Sequence, residues 1–366
     1  MKYTPKMLDL SDRSQCFYWQ TDRKLTAKEY EQYFLKRHEV SKSELEDCLR
    51  RGIQSIQPIE QLEIIDPDEN VLRGNVNIVR KVRINGREYI ARIHPQGIKN
   101  GYFYAEREAL NAAQSAGLPV PQILEVHEAE SETDRDFVLM SVSPGVTLEH
   151  TIRDQPEKEI LLLEQAGKRL AQLHEIRVEK FGPFDNNQAK TNRRLVGLHE
   201  SYRSFIHAGL QENIQRLLSF EVITPEQAQQ FLTVFKETNF EPTDGPRLVH
   251  NDYADWNLLS DGEDITAMLD WDECHGGDPV ADLACWSTFY DMERYAHFLR
   301  GYESVASLPD DYENRFHFYR LRYTVSKMAL RIKRYQVDPS DFMKEKIRVG
   351  TLALVEETQW LETNTR

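Results

Sequence analysis

The stretch Leu248–Ala284, LVHNDYADWNLLSDGEDITAMLDWDECHGGDPVADLA, constrains this chain more than any other. Two apolar residues, Leu248 and Val249, lead into a polar set of His250, Asp252, Asp255 and Asn257. A strand pattern at Ile265, Ala267 and Leu269 then delivers Asp270 and Asp272, ahead of a Gly-Gly-Asp-Pro turn and a helix beginning near Asp282. The spacing His-x-Asp-x-x-x-x-Asn, with a carboxylate at the end of the next strand, is what phosphoryl transfer requires. One carboxylate faces an acceptor hydroxyl, while an amide and a second carboxylate hold Mg2+ on the phosphates. On this reading Asp252 faces the acceptor, and Asn257 and Asp270 are the metal ligands. Hard oxygen donors suit Mg2+, and so small a set leaves room for phosphate and water oxygens. Without that chemistry, the same residues are a polar loop stabilised by Asx-type hydrogen bonds. The coupling of the motif to a strand, a turn and a helix favours the catalytic reading.

A chain of 366 residues buries a large core and holds one large or two moderate domains. The net charge of -14 argues against a general nucleic-acid binder and suits a neutral or cationic small partner, although a solvated acidic surface has the same signature. Cys16, Cys48, Cys274 and Cys285 are widely spaced and form no C-x-x-C pair, which points to reduced thiols rather than a disulfide framework or zinc site. The first residues, MKYTPKMLDLSDRS, lack the apolar core of a signal peptide, and no run reaches transmembrane length. The expectation is a cytoplasmic protein that engages neither membrane nor nucleic acid.

Taken in order, residues 1–55 read as a helical N-terminal extension. Thr26-x-x-Glu29 and Ser41-x-x-Glu44 are capping boxes, Gly52 is a helix stop, and Tyr30, Tyr33 and Phe34 form a packing stripe with no chemistry in view. Residues 56–145 read as a small mixed lobe. Strand patterns around Ile78 and Ile90 flank the hairpin turn Asn85-Gly86. A helix over 102–116 aligns Ala105, Ala109, Ala112 and Ala116, and Pro119-Val120-Pro121 leads towards the strand Phe137–Met140. Residues 146–366 read as helical, with a helix over 160–176 and further helices within 198–219, 225–238 and 282–302, and beyond 311. The basic, aromatic stretch 316–335 is read as a long amphipathic helix with a solvated rim.

At this point the chain resembles the aminoglycoside phosphotransferases and their choline-kinase-like relatives. The resemblance covers roughly residues 56–335. It is carried by HNDYADWN, MLDWDECHGGDPVADLA, the Pro-Val-Pro, VLMSVSPG and LAQLH at 170–174. EKFGPF at 179–184 and YFYAERE are most similar to hygromycin-type members. The resemblance implies an α+β, protein-kinase-like bilobal fold: a small mixed β-sheet N-lobe that binds nucleotide and a larger helical C-lobe that carries the catalytic and acceptor sites. It implies that Arg92 contacts the nucleotide phosphates in place of the more usual lysine, partnered by Glu108, with Glu106 as a rival. It puts Met140 behind the base and gives Ser141 and Val142 its backbone hydrogen bonds. It makes His250 an orienting member of the catalytic loop, Asp282 an acceptor of that loop's backbone hydrogen bonds, and Asp278 a cap for the following helix. The phosphate loop departs from the pattern, with only Gly74 among Val71–Asn77 and Asn75 or Asn77 as substitute donors.

The expected function is an ATP- or GTP-dependent, Mg2+-requiring kinase acting on a hydroxyl of an aminoglycoside or similar amine-bearing metabolite. Asp255, Asp272 and Glu273 are the carboxylates expected to meet the acceptor's amines. Two alternatives remain: a choline- or homoserine-type metabolite kinase, and a nucleotide-binding regulatory pseudokinase.

Overall fold

The turn at Asn85-Gly86 has positive φ at both residues, 49° and 81°, as a two-residue hairpin requires. It joins strands Ile78–Ile84 and Arg87–Ile93, paired from Ile78 with Ile93 to Ile84 with Arg87. These are the second and third strands of a five-stranded antiparallel sheet. Leu62–Ile65 lies outside the first of the pair, and Phe137–Ser141 followed by Ile123–His127 lies outside the second. The computed structural model describes residues 8–26, 28–29, 41–54, 58–65, 76–129, 134–237, 242 and 244–364. Tyr30, Tyr33, Phe34 and the Val71–Asn75 part of the phosphate loop fall outside those residues.

The helix Lys42–Gln54 starts at the expected capping box: Ser41 Oγ accepts from Glu44 N, and the Glu44 carboxylate accepts from Ser41 N. Its Leu45, Leu49 and Ile53 form one core with Ile64, Val82, Ala91 and Phe137 of the sheet. The helix Phe103–Ser115 buries Ala105, Ala109 and Ala113 rather than the expected Ala105, Ala109, Ala112 and Ala116. Steps of four keep the stripe on one side of the helix, and Ala116 is already its cap.

Beyond residue 145 helices dominate, and they share one large hydrophobic cluster. The helices Glu159–Leu173 and Met292–Glu303 pack through Gly167 and Gly301. A Cβ on Gly167 would overlap the carbonyl oxygen of Phe298, and one on Gly301 that of Glu164. The helical region 282–302 holds two helices: Pro279–Ser287, capped by Asp278 as anticipated, and Met292–Glu303, capped by Asp291. Two short antiparallel ladders hold the motif loop at both ends. Arg247–Val249 pairs with His275–Gly277, and Leu258–Ser260 pairs with Ile265–Met268.

The long helix is present over Tyr312–Val337, but much of its basic rim is not solvated. Arg322 is buried and donates to the carbonyls of Ile206 and Ala208, while Lys333 donates to that of Arg23 at 3.2 Å. These cations satisfy loop carbonyls inside the fold, which the helical spacing of the sequence does not reveal. Residues 8–26 of the expected helical extension are mostly not helical: Leu8–Asp9 pairs in parallel with Ile98–Lys99, and Trp19–Asp22 is a single turn. All four cysteines are free and buried. Among the described residues no helix is long and apolar enough to cross a membrane.

The close glycine contact makes a direct test. Gly301→Ala should destabilise the protein by about 1–3 kcal/mol or more, the range for inserting a methyl group into a packed interface. Gly117→Ala meets no atoms within 4 Å but sits at a φ of 78°, so its smaller cost is purely conformational. Denaturant unfolding of both variants measures the difference.

Candidate active site

Asp282, in the helix Pro279–Ser287, organises the motif loop. Its carboxylate accepts from the backbone of His250 at 2.7 Å and of Asn251 at 2.6 Å, and its Oδ2 also meets His174 Nε2 at 3.1 Å. Burial works to raise its carboxyl, but the hydrogen bond from His174 and the neighbouring imidazoles bring it below its ordinary value. Asn251 turns the chain with φ of 66°, a conformation asparagine tolerates better than most residues. His250 packs against Trp271, and its Nε2 meets the Leu269 carbonyl at 2.9 Å. Buried and held below its ordinary pKa by desolvation, the imidazole has an orienting geometry.

The loop delivers Asp252 and Asn257 side by side. Asn257 Nδ2 donates to the Asp252 backbone carbonyl at 2.9 Å and to its Oδ2 at 3.1 Å. Burial pushes the Asp252 carboxyl up to about 6, with Lys327 pulling the other way. Asp270 follows the strand Ile265–Met268 in a left-handed conformation, φ 61°. Its carboxylate lies 3.5 Å from Arg92, so the strand arginine and the motif carboxylate meet.

The carboxylate paired with Arg92 is Glu106 and not Glu108, the residue expected from the sequence. Residues two apart on a helix point about 200° away from each other, and Glu106 is the one facing the sheet. Glu108 turns to Arg107 Nε at 3.0 Å and Asn111 Nδ2 at 3.2 Å. Two of the three acceptor-facing carboxylates are also otherwise engaged. Asp255 accepts from the Tyr290 hydroxyl and from Arg294 at 3.1 Å. Glu273 accepts from Trp19 N and Gln20 N, each at 2.8 Å, holding the N-terminal turn. Asp272 is different: its buried Oδ1 has no hydrogen-bond partner, nor has Glu106 Oε2. On the strand Phe137–Ser141, Met140 is buried as expected. The Ser141 N–H donates to the Gln122 carbonyl at 2.9 Å. Val142, 41% exposed, follows it.

Several residues of the site escaped the sequence. Arg13 donates to the Asp272 carbonyl, its guanidinium lying over the Trp19 ring at 4.3 Å and the Tyr102 ring at 3.6 Å. The Tyr18 hydroxyl donates to Asp252 Oδ1 at 3.1 Å. Both belong to a segment with no periodicity to mark it. His174 was visible only as the end of LAQLH.

A sheet over a helical region, with a carboxylate–amide–carboxylate set at their junction, defines a kinase-like phosphotransferase architecture. The sequence matches the profile of the Phosphotransferase enzyme family over residues 71–339, and the chain belongs to that family. It is 26% identical over 309 residues to hygromycin-B 4-O-kinase of Escherichia coli, covering 80% of each chain. It is 24% identical over 260 residues to mouse acyl-CoA dehydrogenase family member 10, covering 69% of this chain and 22% of that protein. Among solved structures it is similar to a thermostable mutant of aminoglycoside phosphotransferase APH(4)-Ia in ternary complex with AMP-PNP and hygromycin B. That likeness has a TM-score of 0.57 at 21% identity and covers 82% of this chain and 96% of that one. A putative fructosamine-3-kinase from Thermobifida fusca gives a TM-score of 0.55 at 16% identity, covering 84% of this chain and 97% of that one.

The pairing of Arg92 gives a prediction on stability alone. Glu106→Ala strands a buried guanidinium and should cost about 3–5 kcal/mol. Glu108→Ala should cost about 1 kcal/mol, since its partners reach solvent. Urea unfolding of the two variants ranks them, and equal costs would count against the Glu106 pairing.

Proposed function

We infer that this small-molecule kinase transfers the γ-phosphoryl group of ATP or GTP to a hydroxyl of an aminoglycoside or similar amine-bearing metabolite. The observation that carries the reading is the convergence of Asp252, Asn257, Asp270 and Arg92. Asn257 pins one oxygen of Asp252, and Asp270 lies 3.5 Å from Arg92. The family membership and the hygromycin-B 4-O-kinase relative support the acceptor class.

Asp252 would orient the acceptor hydroxyl and take its proton. Arg92, fixed by Glu106, would face the phosphates with a permanent charge and two nitrogens. Asn257 Oδ1 and Asp270 fit Mg2+: both offer hard oxygen, and among the described residues no group of three or more His, Cys, Asp or Glu forms a closed metal cage. An open, oxygen-only set of this kind suits an ion that keeps water and phosphate ligands. When bound, Mg2+ would neutralise charge on the phosphates of the nucleotide. Val142 would supply the backbone donor to the base, with Met140 beneath it. With Asp255 and Glu273 engaged internally, Asp272 is the carboxylate left for an acceptor amine.

Asp252→Asn should lower kcat by about 10²–10⁴-fold while Mg·nucleotide affinity stays within about twofold, because Asp252 serves the acceptor. Turnover and calorimetric nucleotide binding measured on one preparation test this, and full activity would remove Asp252 from the mechanism. For the acceptor, ADP or GDP release is followed with aminoglycosides, hygromycin-type aminocyclitols, choline, methylthioribose and homoserine. A hydroxyl-bearing amine should respond, and a polycation's KM should rise between low and physiological salt as exposed charges are screened. A neutral sugar as the sole acceptor would overturn the amine reading and leave the kinase standing.

A further inference from the structure

The N-terminal segment crosses the site instead of preceding it. It is fastened to the sheet side where Leu8 N and Leu10 N donate to the carbonyls of Gly97 and Lys99, at 2.9 and 2.7 Å. It is fastened to the helical side where Asn213 Nδ2 donates to Asp22 Oδ1 at 2.7 Å and Lys333 holds the Arg23 carbonyl. Between these anchors Phe17, Tyr18 and Trp19 are buried, and Tyr18 reaches Asp252.

We propose that residues 8–26 form the acceptor-side wall of the active site, and that Tyr18 is a positioning residue whose hydroxyl fixes the Asp252 carboxylate for the acceptor. This rests on the phosphotransferase reading of Asp252. Asn257 holds Oδ2 and Tyr18 holds Oδ1, each at 3.1 Å, so rotation of the carboxylate is stopped at both oxygens. A carboxylate oxygen has two lone pairs, so Oδ1 keeps one for the acceptor hydroxyl. A base fixed in this way loses no orientation on meeting its substrate, which is where phosphoryl transfer draws its rate.

A tyrosine hydroxyl beside the base has a second reading, an inhibitor sitting in the acceptor's place. The fastening of the segment favours the wall. Asp22 Oδ2 accepts from Phe17 N at 2.9 Å and Tyr18 N at 3.1 Å, and Glu273 accepts from the next two backbone amides. The Phe17 ring packs 5.3 Å from Phe205 and 5.0 Å from Tyr323, with the Arg322 guanidinium 4.1 Å above it. Releasing Tyr18 with its neighbours would strip the buried Glu273 of two backbone donors and Asp22 Oδ2 of its own two, so displacement by each incoming acceptor is costly. The segment also explains why Glu273 takes no part in acceptor binding: it is the segment's anchor.

Tyr18→Phe removes the hydroxyl and keeps the ring. The full-length variant should show kcat lower by about tenfold, the scale for one hydrogen bond to a charged group. Acceptor KM, nucleotide affinity and melting temperature should stay close to wild type, the pattern of an interaction used in the transition state alone. An unchanged kcat overturns the positioning role, and so does a raised KM with kcat intact. A higher kcat overturns it in favour of the inhibitory reading. A second measurement needs no turnover and no loss of the hydroxyl: 3-fluorotyrosine in place of Tyr18, with its fluorine resonance compared with and without Asp252→Asn. A shifted resonance supports the contact, and an unmoved one overturns it. Wild-type protein that turns over no acceptor counts against the kinase reading, and the fluorine resonance then decides the contact by itself.

Discussion

The Asp282 carboxylate is the point on which the site depends. It sits in the interior at a net cost of desolvation, and three N–H groups offset that cost: two from the motif backbone and one from His174. Because the donors are His250 and Asn251, the bonds set the direction in which the chain enters Asp252. Tyr323 adds a second hold on Asn251 through its side-chain oxygen, and Tyr253 ties the loop to the carbonyl of Ala166 at 2.9 Å. The loop is therefore clamped from three helices, and its Asp252 carboxylate is placed by backbone geometry rather than by a free side chain.

A second constraint is charge. Asp252, Asp272 and Glu106 are buried with Arg92 and Arg13, and Asp270, its side chain 40% exposed, stands beside Arg92. Burial raises the carboxyls of Asp252, Asp270 and Glu106 above their ordinary values, and the Asp272 charge adds to each of them. Arg92 offsets part of this through Glu106 and Asp270. Such crowding of like charge costs stability and is relieved by any cation brought among the carboxylates.

What the sequence revealed and what it hid follow from the range of the interactions. Asp252, Asn257 and Asp270 were legible because one loop and one hairpin set their spacing. Arg92 was legible because an Asn-Gly turn fixes the register of its strand. Glu106 was confused with Glu108 because a motif match carries no helical phase, and a two-residue error on a helix selects the opposite face. Asp255 and Glu273 were misjudged for another reason: their partners, Arg294 and the Trp19–Gln20 backbone, lie far away in the chain, and a carboxylate in a motif looks the same whether or not a distant donor has claimed it. The buried cations of the long helix hide for the same reason, since Arg322 and Lys333 answer to carbonyls of loops that no periodicity marks.

These engaged carboxylates change how a cationic acceptor would be recognised. The net charge of -14 draws a cation from a distance, but that field is screened over about 8 Å at physiological salt and does not choose among amines. Selection falls to the few groups that meet the acceptor. With Asp255 bound to Tyr290 and Arg294, and Glu273 bound to the N-terminal turn, the partnerless Oδ1 of Asp272 would be the main anionic contact offered to such an acceptor beside Asp252. One buried carboxylate binds one amine strongly and fixes its distance from the hydroxyl to be phosphorylated, whereas an open acidic surface would accept many poses. The aromatic segment that claims Glu273 also narrows the approach to Asp252. The same folding event thus removes a promiscuous charge and supplies a shape, so discrimination among acceptors would rest on the geometry of residues 8–26 more than on the acidity of the chain.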